Sequence, residues 1–298
     1  MKAVIVGASG FVGGYLVKEL ESAAHSVVQA NFPEFNLLNR EQVYSLIDSE
    51  KPDWVVNLAA ISSVGASWKD PVATMDVNVH GTLNLLDAIR EKAPHAKTLL
   101  IGSAEEYAPK KFEPLQETDP LEASNPYGIS KIAQENFASL YRRKYGLKII
   151  CTRSFNHTGI GQTTNFVLPS FVKQVADIDR SGKPGKILVG NLSAIRDFSD
   201  VEDVVHVYRM LLENENLHDT YNVGSGKAYK IEDLLNNIIL KLSSVPINVE
   251  IDPEKFRPVE TPYLCANIDR IAPYWRGTSI ENTLKKMFLH YRNTIEQA

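Results

Sequence analysis

Tyr127 and Lys131 stand four residues apart in the segment Ser124-Asn-Pro-Tyr-Gly-Ile-Ser-Lys131. On a helix that spacing projects both side chains from one face. A phenol beside an ammonium is a device for moving protons. Free tyrosine titrates near ~10, and a unit charge ~4 Å away is worth at most ~4 kcal/mol at an effective dielectric of ~20. That suffices to bring the phenol toward ~7, where it can give and take a proton. An ordinary amphipathic helix can also carry an exposed Tyr–Lys pair, so the pair needs company. Ser103-Ala-Glu-Glu-Tyr107, directly after the apolar run 97–102, supplies it. Ser103 offers a hydroxyl to an oxygen on which charge develops, and Glu105 offers a carboxylate.

The elements that would position these groups are legible. Asn125 can cap a helix and Pro126 suits its first turn; residues 129–145 contain good helix formers and Gly146 closes them. At the other end of the chain, the apolar residues 2–6 lead into Gly7-Ala-Ser-Gly10-Phe-Val-Gly13 and a helix to about Ala23. Gly7 allows a tight turn, Gly10 lets backbone N–H groups approach a pyrophosphate, and Gly13 permits close helix–strand packing. The spacing is G-x-x-G-x-x-G, and a tight turn without ligand would also use these glycines. Residues 26–31 read as a second strand, whose end is where an acidic residue would grip an adenosine ribose. Asn31 is neutral, and no Lys or Arg lies between Glu19 and Asn39 to meet a 2′-phosphate, so NAD and NADP both stay open.

A helix over about 39–49, a strand over 54–58 running into Ala59-Ala60, a long helical stretch over 71–93, and strands over 97–102 and 147–153 follow. Small residues after the 54–58 strand let a flat group lie against the backbone, or simply pack. This alternation predicts an α/β protein with a doubly wound parallel sheet, whose ligands bind outside the carboxyl ends of the strands. Past Arg153 the alternation loosens. Helices are expected over 165–180, 231–242 and 280–291, strands over 186–189 and 220–223, and a strand turning into a helix over 196–212.

Bulk properties narrow the class. The chain has 298 residues, 44% of them hydrophobic and 23% charged, as in a soluble globular protein. A net charge of −4 argues against coating nucleic acid or a membrane surface. Two cysteines, Cys151 and Cys265, make neither a disulfide framework nor a metal cluster. No run reads as a signal peptide or a membrane span, so a cytoplasmic protein is the expectation, with no metal.

The chain resembles the extended short-chain dehydrogenase/reductase family, in which Ser/Thr, Tyr and Lys work beside a nicotinamide. Asn57-Leu-Ala-Ala60, Asn78 with Gly81-Thr82, and Tyr127-x-x-x-Lys131 look like family positions. Ser154-Phe-Asn-His-Thr-Gly-Ile-Gly-Gln162 and Arg196-Asp-Phe-Ser-Asp-Val201 resemble enzymes acting on nucleotide-diphosphate sugars. Ser103-Ala-Glu-Glu-Tyr107, Tyr221-Asn-Val-Gly-Ser-Gly226 and Phe256-Arg-Pro-Val-Glu260 point to the GDP-deoxysugar branch.

The resemblance implies a Rossmann-type sheet with a smaller C-terminal α/β substrate domain. Residues 1–155 with about 196–224 would bind the dinucleotide, and 156–195 with 225–298 the nucleotide sugar. It implies NADP or NAD held by Gly7, Ser9, Gly10, Phe11, Val12, Gly13, Asn31, Asn36, Leu37, Leu58, Ala59, Ala60, Tyr127 and Lys131. Tyr127 would be the proton donor, Lys131 would lower its pKa and hold the ribose, and Ser103 would bond the same oxygen. Asn156, Arg196, Arg257 and Glu260 would meet the substrate; the lesser alternative for each arginine is a surface ion pair with Asp197 or Glu260. His157 reads as a hydrogen-bonded structural histidine rather than a general acid. The expected reaction is reduction of the C4 ketone of a 4-keto-6-deoxyhexose, foremost GDP-4-keto-6-deoxy-D-mannose to GDP-D-rhamnose.

Glu105 keeps a second reaction open, because related 4,6-dehydratases use a Glu at that position to take the C5 proton. In a reductase it would position the sugar, or Glu105 and Glu106 would pair with cations. A 4-epimerase with bound NAD and a non-catalytic dinucleotide sensor also stay open. Relatives also imply a homodimer, packed through the helices over 71–93 and 125–145.

Overall fold

In the computed structural model, residues 1–215, 218–256 and 261–294 are described. The first half repeats one unit. Apolar strands β1 (Lys2–Val6), β2 (Ser26–Ala30) and β3 (Trp54–Asn57) alternate with α1 (Phe11–Ser22) and α2 (Arg40–Glu50). After β3 come α3 (Val64–Lys69), α4 (Pro71–Met75), α5 (Gly81–Lys92), β4 (Lys97–Ser103), α6 (Pro126–Tyr145) and β5 (Ile149–Ser154). All four residues of β3 and all six of β5 are buried, as expected of parallel strands covered on both faces.

The main sheet has the order β2-β1-β3-β4-β5-β9, every pair parallel, with β9 (Thr220–Val223) returning from the second half. Leu16 and Leu20 of α1 cover one face together with Val204, Tyr208 and Leu211 of α8 (Val201–Glu213). Val43 and Ile47 of α2, Leu85, Leu86 and Ile89 of α5, and Ala138 of α6 cover the other. The chain leaves β1 for β2 on one side and crosses to β3 on the other. The crevice at their carboxyl ends is therefore the topological switch point.

The second half builds smaller sheets. Strand β8 (Ile195–Asp200) is flanked by β10 (Ala228–Lys230), β12 (Tyr263–Leu264) and β6 (Asn156–Thr158), while β7 (Gly185–Val189) pairs with β11 (Ile247–Ile251). Helices α7 (Val167–Ser181) and α9 (Ile280–Asn293) share their core, with Phe171, Val175, Leu284 and Met287 fully enclosed. The stretch after Ala194 divides: β8 lies in the small sheet, whereas α8 packs on the main one.

Two expected helices differ from their pattern. The 71–93 stretch is broken by a π turn, Asp76–His80, that sets Asn78 inward. There Asn78 Oδ1 accepts from Ile61 N (2.9 Å) and Nδ2 donates to Ser130 Oγ of α6 (2.9 Å), so its bonds fix the widened turn. The 231–242 stretch likewise changes pitch after Leu234. Strands β6, β10 and β12 are only two or three residues long and carry no alternation to read. Among the described residues no helix is long and apolar enough to cross a membrane.

Candidate active site

The glycine loop bends sharply out of β1. Gly7 has φ +82°, and a Cβ there would lie 2.9 Å from Ala59 N, so the loop passes hard against the residues after β3. A Cβ on Gly13 would overlap the Ala8 carbonyl, which is why α1 can sit so close to the loop. Gly10 begins α1 without a side-chain cap, and no acidic residue occupies the first turn. The helix N-terminus thus presents N–H groups and partial positive charge to an anion, with Phe11 and Val12 as its first residues. Asn31 takes a part that composition did not reveal: its Oδ1 accepts from Ser9 N (2.7 Å), tying the loop to the end of β2. Asn36 turns the following segment through a bond from Leu38 N (3.0 Å), and buried Leu37 lies against Gly81. Leu58, Ala59 and Ala60 line the switch point half-buried. This cradle, narrow, uncapped and free of carboxylates, fits a dinucleotide pyrophosphate.

Ser103 ends β4 beside that cradle, and α6 brings Tyr127 and Lys131 over it. Asn125 caps α6 by accepting from Gly128 N (2.9 Å), Pro126 fills its first turn, and Gly146 ends it at φ +69°. Gly128 lets the helix press onto the Glu105 carbonyl. Tyr127 and Ser103 are both buried, and the Ser103 side chain is close enough to act on the phenol. Lys131 Nζ donates to Ile101 O (2.7 Å) and Gln134 Oε1 (3.2 Å). Its nitrogen lies 5.9 Å from the Tyr127 ring centroid.

The expectation that Lys131 lowers the Tyr127 pKa is corrected here. Burial pushes the phenol above its ordinary value, with the Ser103 hydroxyl pulling only part of the way back. Burial also pulls Lys131 down to about 8. Tyr127 therefore holds its proton through neutral pH, as a donor rather than a base.

The adjacent carboxylates separate. Glu105 is half-buried, and its Oε2 accepts from Asn125 Nδ2 (2.9 Å). Glu106 is fully buried, and its Oε1 accepts from Ser103 N (2.6 Å), completing a capping box with Ser103 Oγ, which accepts from Glu105 N (3.2 Å). Ser103-x-x-Glu106 is the sequence signature of that box. It was the available sign that Glu106 points inward rather than pairing with a cation at the surface.

On the substrate side, Asn156 is exposed at the start of β6. His157 Nδ1 bonds the Phe155 carbonyl (3.0 Å), its ring stacks on Phe11 with centroids 6.3 Å apart, and burial lowers its pKa. Arg196 is buried on the central strand of the small sheet, with Nη1 donating to Ile195 O (2.9 Å). An ion pair of Arg196 with Asp197 is not the arrangement found for that carboxylate: Asp197 accepts from Ser225 N, Ser225 Oγ, Gly226 N and Ala266 N. Arg257 and Glu260 lie outside the described residues.

An extended dehydrogenase/reductase sheet with Ser, Tyr and Lys converging at its switch point defines a class, and comparison with known proteins agrees. The family described as "GDP-mannose 4,6 dehydratase" matches residues 22–287. GDP-6-deoxy-D-mannose reductase of Pseudomonas aeruginosa is 32% identical over 259 residues, 86% of this chain and 84% of that one. GDP-6-deoxy-D-talose 4-dehydrogenase of Aggregatibacter actinomycetemcomitans is 27% identical over 97% of each chain. A solved structure of RMD from Pseudomonas aeruginosa complexed with NADPH superposes with TM-score 0.88 at 29% identity, covering 98% of this chain and 99% of that one. The chain belongs to the GDP-mannose 4,6-dehydratase family of extended short-chain dehydrogenase/reductase enzymes.

Proposed function

We propose that this enzyme reduces the C4 ketone of a GDP-4-keto-6-deoxyhexose, GDP-4-keto-6-deoxy-D-mannose foremost, to GDP-D-rhamnose with NADPH or NADH. The observation that carries the reading is the burial of Ser103, Tyr127 and Lys131 together at the carboxyl end of β4, where Ser103 ends the strand and Lys131 Nζ bonds Ile101 O. In this reading Gly7, Ser9, Gly10, Phe11, Val12 and Gly13 hold the cofactor pyrophosphate, and Asn31, Asn36, Leu37, Leu58, Ala59 and Ala60 the adenosine side. The bound reduced nicotinamide supplies a hydride. Tyr127 gives its proton to the ketone oxygen, and Ser103 hydrogen-bonds the same oxygen as charge develops. Lys131 holds the ribose hydroxyls and adds positive charge beside the forming alkoxide. Residues 1–155 with 201–224 form the dinucleotide-binding unit, and 156–200 with 225–298 the sugar-nucleotide unit, to which β8 belongs rather than to the first as the sequence suggests, and where Asn156, Arg196, Arg257 and Glu260 contact substrate.

Glu105 supports a second reading, dehydration, because it stands two residues after Ser103. Its bond from Asn125 favours the reductase, because it gives the carboxylate a structural place at the start of α6. The test is consumption of NADH and NADPH, each with GDP-4-keto-6-deoxy-D-mannose, followed by product analysis at C4. Stoichiometric oxidation supports the reductase, and the talose epimer as product would revise only the stereochemistry. Sugar-nucleotide binding without oxidation, together with water loss from GDP-mannose, would replace the reading with dehydration.

A further inference from the structure

Asn222 of β9 is wholly enclosed, yet it lies outside the Ser103–Tyr127–Lys131 site. Among the described strands β9 is an edge of the main sheet, and three chain segments meet Asn222 there. Asn222 N donates to Glu117 Oε1 (2.9 Å), and its Nδ2 donates to Leu115 O (2.7 Å) and Asn267 O (3.3 Å). Its Oδ1 accepts from the Tyr107 hydroxyl (2.6 Å). The side-chain amide is thus satisfied at both ends, which specifies one arrangement of its partners. Tyr107 closes the turn that Ser103 opens, and its ring lies 4.8 Å from the Arg153 guanidinium of β5. Because the sheet runs β4-β5-β9, Tyr107 reaches from the end of β4 past β5 to the edge strand. Its backbone bridges Leu121, and Glu122 N donates to Glu106 O (3.0 Å), so the same turn is joined to the residues leading into α6. Leu115 is held on the other side, its N donating to Cys265 O (2.8 Å) and its O accepting from Asn267 N (2.8 Å), just after β12.

We propose that Tyr107 and Asn222 are a positioning pair, which fixes the far end of the Ser103–Tyr107 turn to the main sheet and ties the segment after β12 to the same point. Neither residue touches the reacting atoms. The near end of the turn is set by strand pairing, with Ser103 in register with Ser154 of β5. Its far end is set by the Tyr107 hydroxyl on Asn222, and Ser103 and Glu105 lie between the two anchors. Losing the second anchor lets the turn shift, and a displacement of ~1 Å at a reacting group can cost about a hundredfold. The kinetic consequence rests on the reductase reading; the mechanical one does not. In Tyr107→Phe the ring stays and the bond to Asn222 goes. The value of kcat should fall about tenfold or more, while NADPH and NADH affinities, set at the glycine loop, stay within about twofold. If the two side chains act as one device, Tyr107→Phe combined with Asn222→Ala loses no more kcat than Asn222→Ala alone.

Hydrogen exchange, read by mass spectrometry of peptic fragments of wild type and Tyr107→Phe, tests the pair without substrate. Exchange should quicken severalfold over residues 104–122 and 264–267, with the glycine loop and α1 unchanged. A residue that merely adds stability would instead quicken the most protected segments throughout the chain, through global unfolding. Should the Phe variant not fold, Asn222→Ser breaks the same bond and must give the same local pattern. Steady-state reduction of GDP-4-keto-6-deoxy-D-mannose and nicotinamide fluorescence titration then supply kcat and the two cofactor affinities. Unchanged exchange over 104–122, or a rise spread evenly over the chain, overturns the proposal. So does a Tyr107→Phe enzyme within twofold of an active wild type in kcat. A wild type inactive on the 4-keto sugar would sink the reductase reading, and hydrogen exchange alone would then decide this inference.

Discussion

Removing one oxygen atom, in Tyr127→Phe, separates chemistry from structure at this site. The ring is enclosed, and the Ser103 side chain is close enough to act on its hydroxyl. Ser103 Oγ keeps its other contact, from Glu105 N at 3.2 Å, so no fully orphaned group is left behind. The stability cost is then about 1 kcal/mol, a fall of a few degrees in Tm. A general acid is worth about 10²–10⁴-fold, which corresponds to ~3–5 kcal/mol of barrier. The variant should therefore lose about a thousandfold in kcat while cofactor affinity, read from nicotinamide fluorescence, stays within about threefold. Steady-state oxidation of the reduced cofactor at saturating keto sugar measures the first quantity. In the wild-type enzyme Tyr127 stays protonated through neutral pH and Lys131 titrates at about 8. The reduction rate should be level through neutral pH and decline as pH rises past Lys131. A Phe variant within tenfold of wild-type kcat would refute the role of Tyr127 as proton donor.

Other positions test the rest. Gly13→Ala puts a methyl onto the Ala8 carbonyl; it should cost about 1–3 kcal/mol in stability and lower dinucleotide affinity at least tenfold, read by thermal unfolding and fluorescence titration. Glu105→Gln should reduce ketone turnover less than about tenfold, whereas loss of a C5 base would cost about a hundredfold or more in a dehydration assay. Ile129 and Leu140 are 50% and 48% exposed on one stripe of α6, so Ile129→Arg with Leu140→Arg should convert the homodimer we propose into a monomer in sedimentation velocity. A wild-type protein that sediments as a monomer at micromolar concentration would remove that proposal.

The parts that were legible are those whose meaning is local. A strand running into glycines, a capped helix with Tyr and Lys one turn apart, and a serine after an apolar run each state their geometry within a dozen residues. The parallel, doubly wound character of the main sheet followed from that alternation. What was not legible depends on distant neighbours. Asn31 stands at the end of β2, and that its Oδ1 also ties down the glycine loop through Ser9 N depends on how the loop folds back. The 71–93 stretch has uniform helical character, but Asn78 must reach both Ile61 and Ser130, and a widened turn results. The Tyr127 pKa went the other way because burial of the phenol outweighs everything else acting on it. Charge proximity was visible in the spacing; enclosure was not.

Enclosure also explains why the turn after β4 carries two glutamates in succession. Three residues of that turn face α6: Ser103 and Glu106 act on the Tyr127 and Lys131 side chains, and Glu105 bonds the Asn125 cap. A reductase needs its donor oxygen held against one substrate atom, and a 1 Å error in such a placement is costly. A turn anchored at only one residue could pivot about it; links at Ser103, Glu105 and Glu106 oppose that motion. Glu105 need then carry no proton to account for its place beside Ser103. Its carboxylate holds the start of α6, and the helix holds Tyr127.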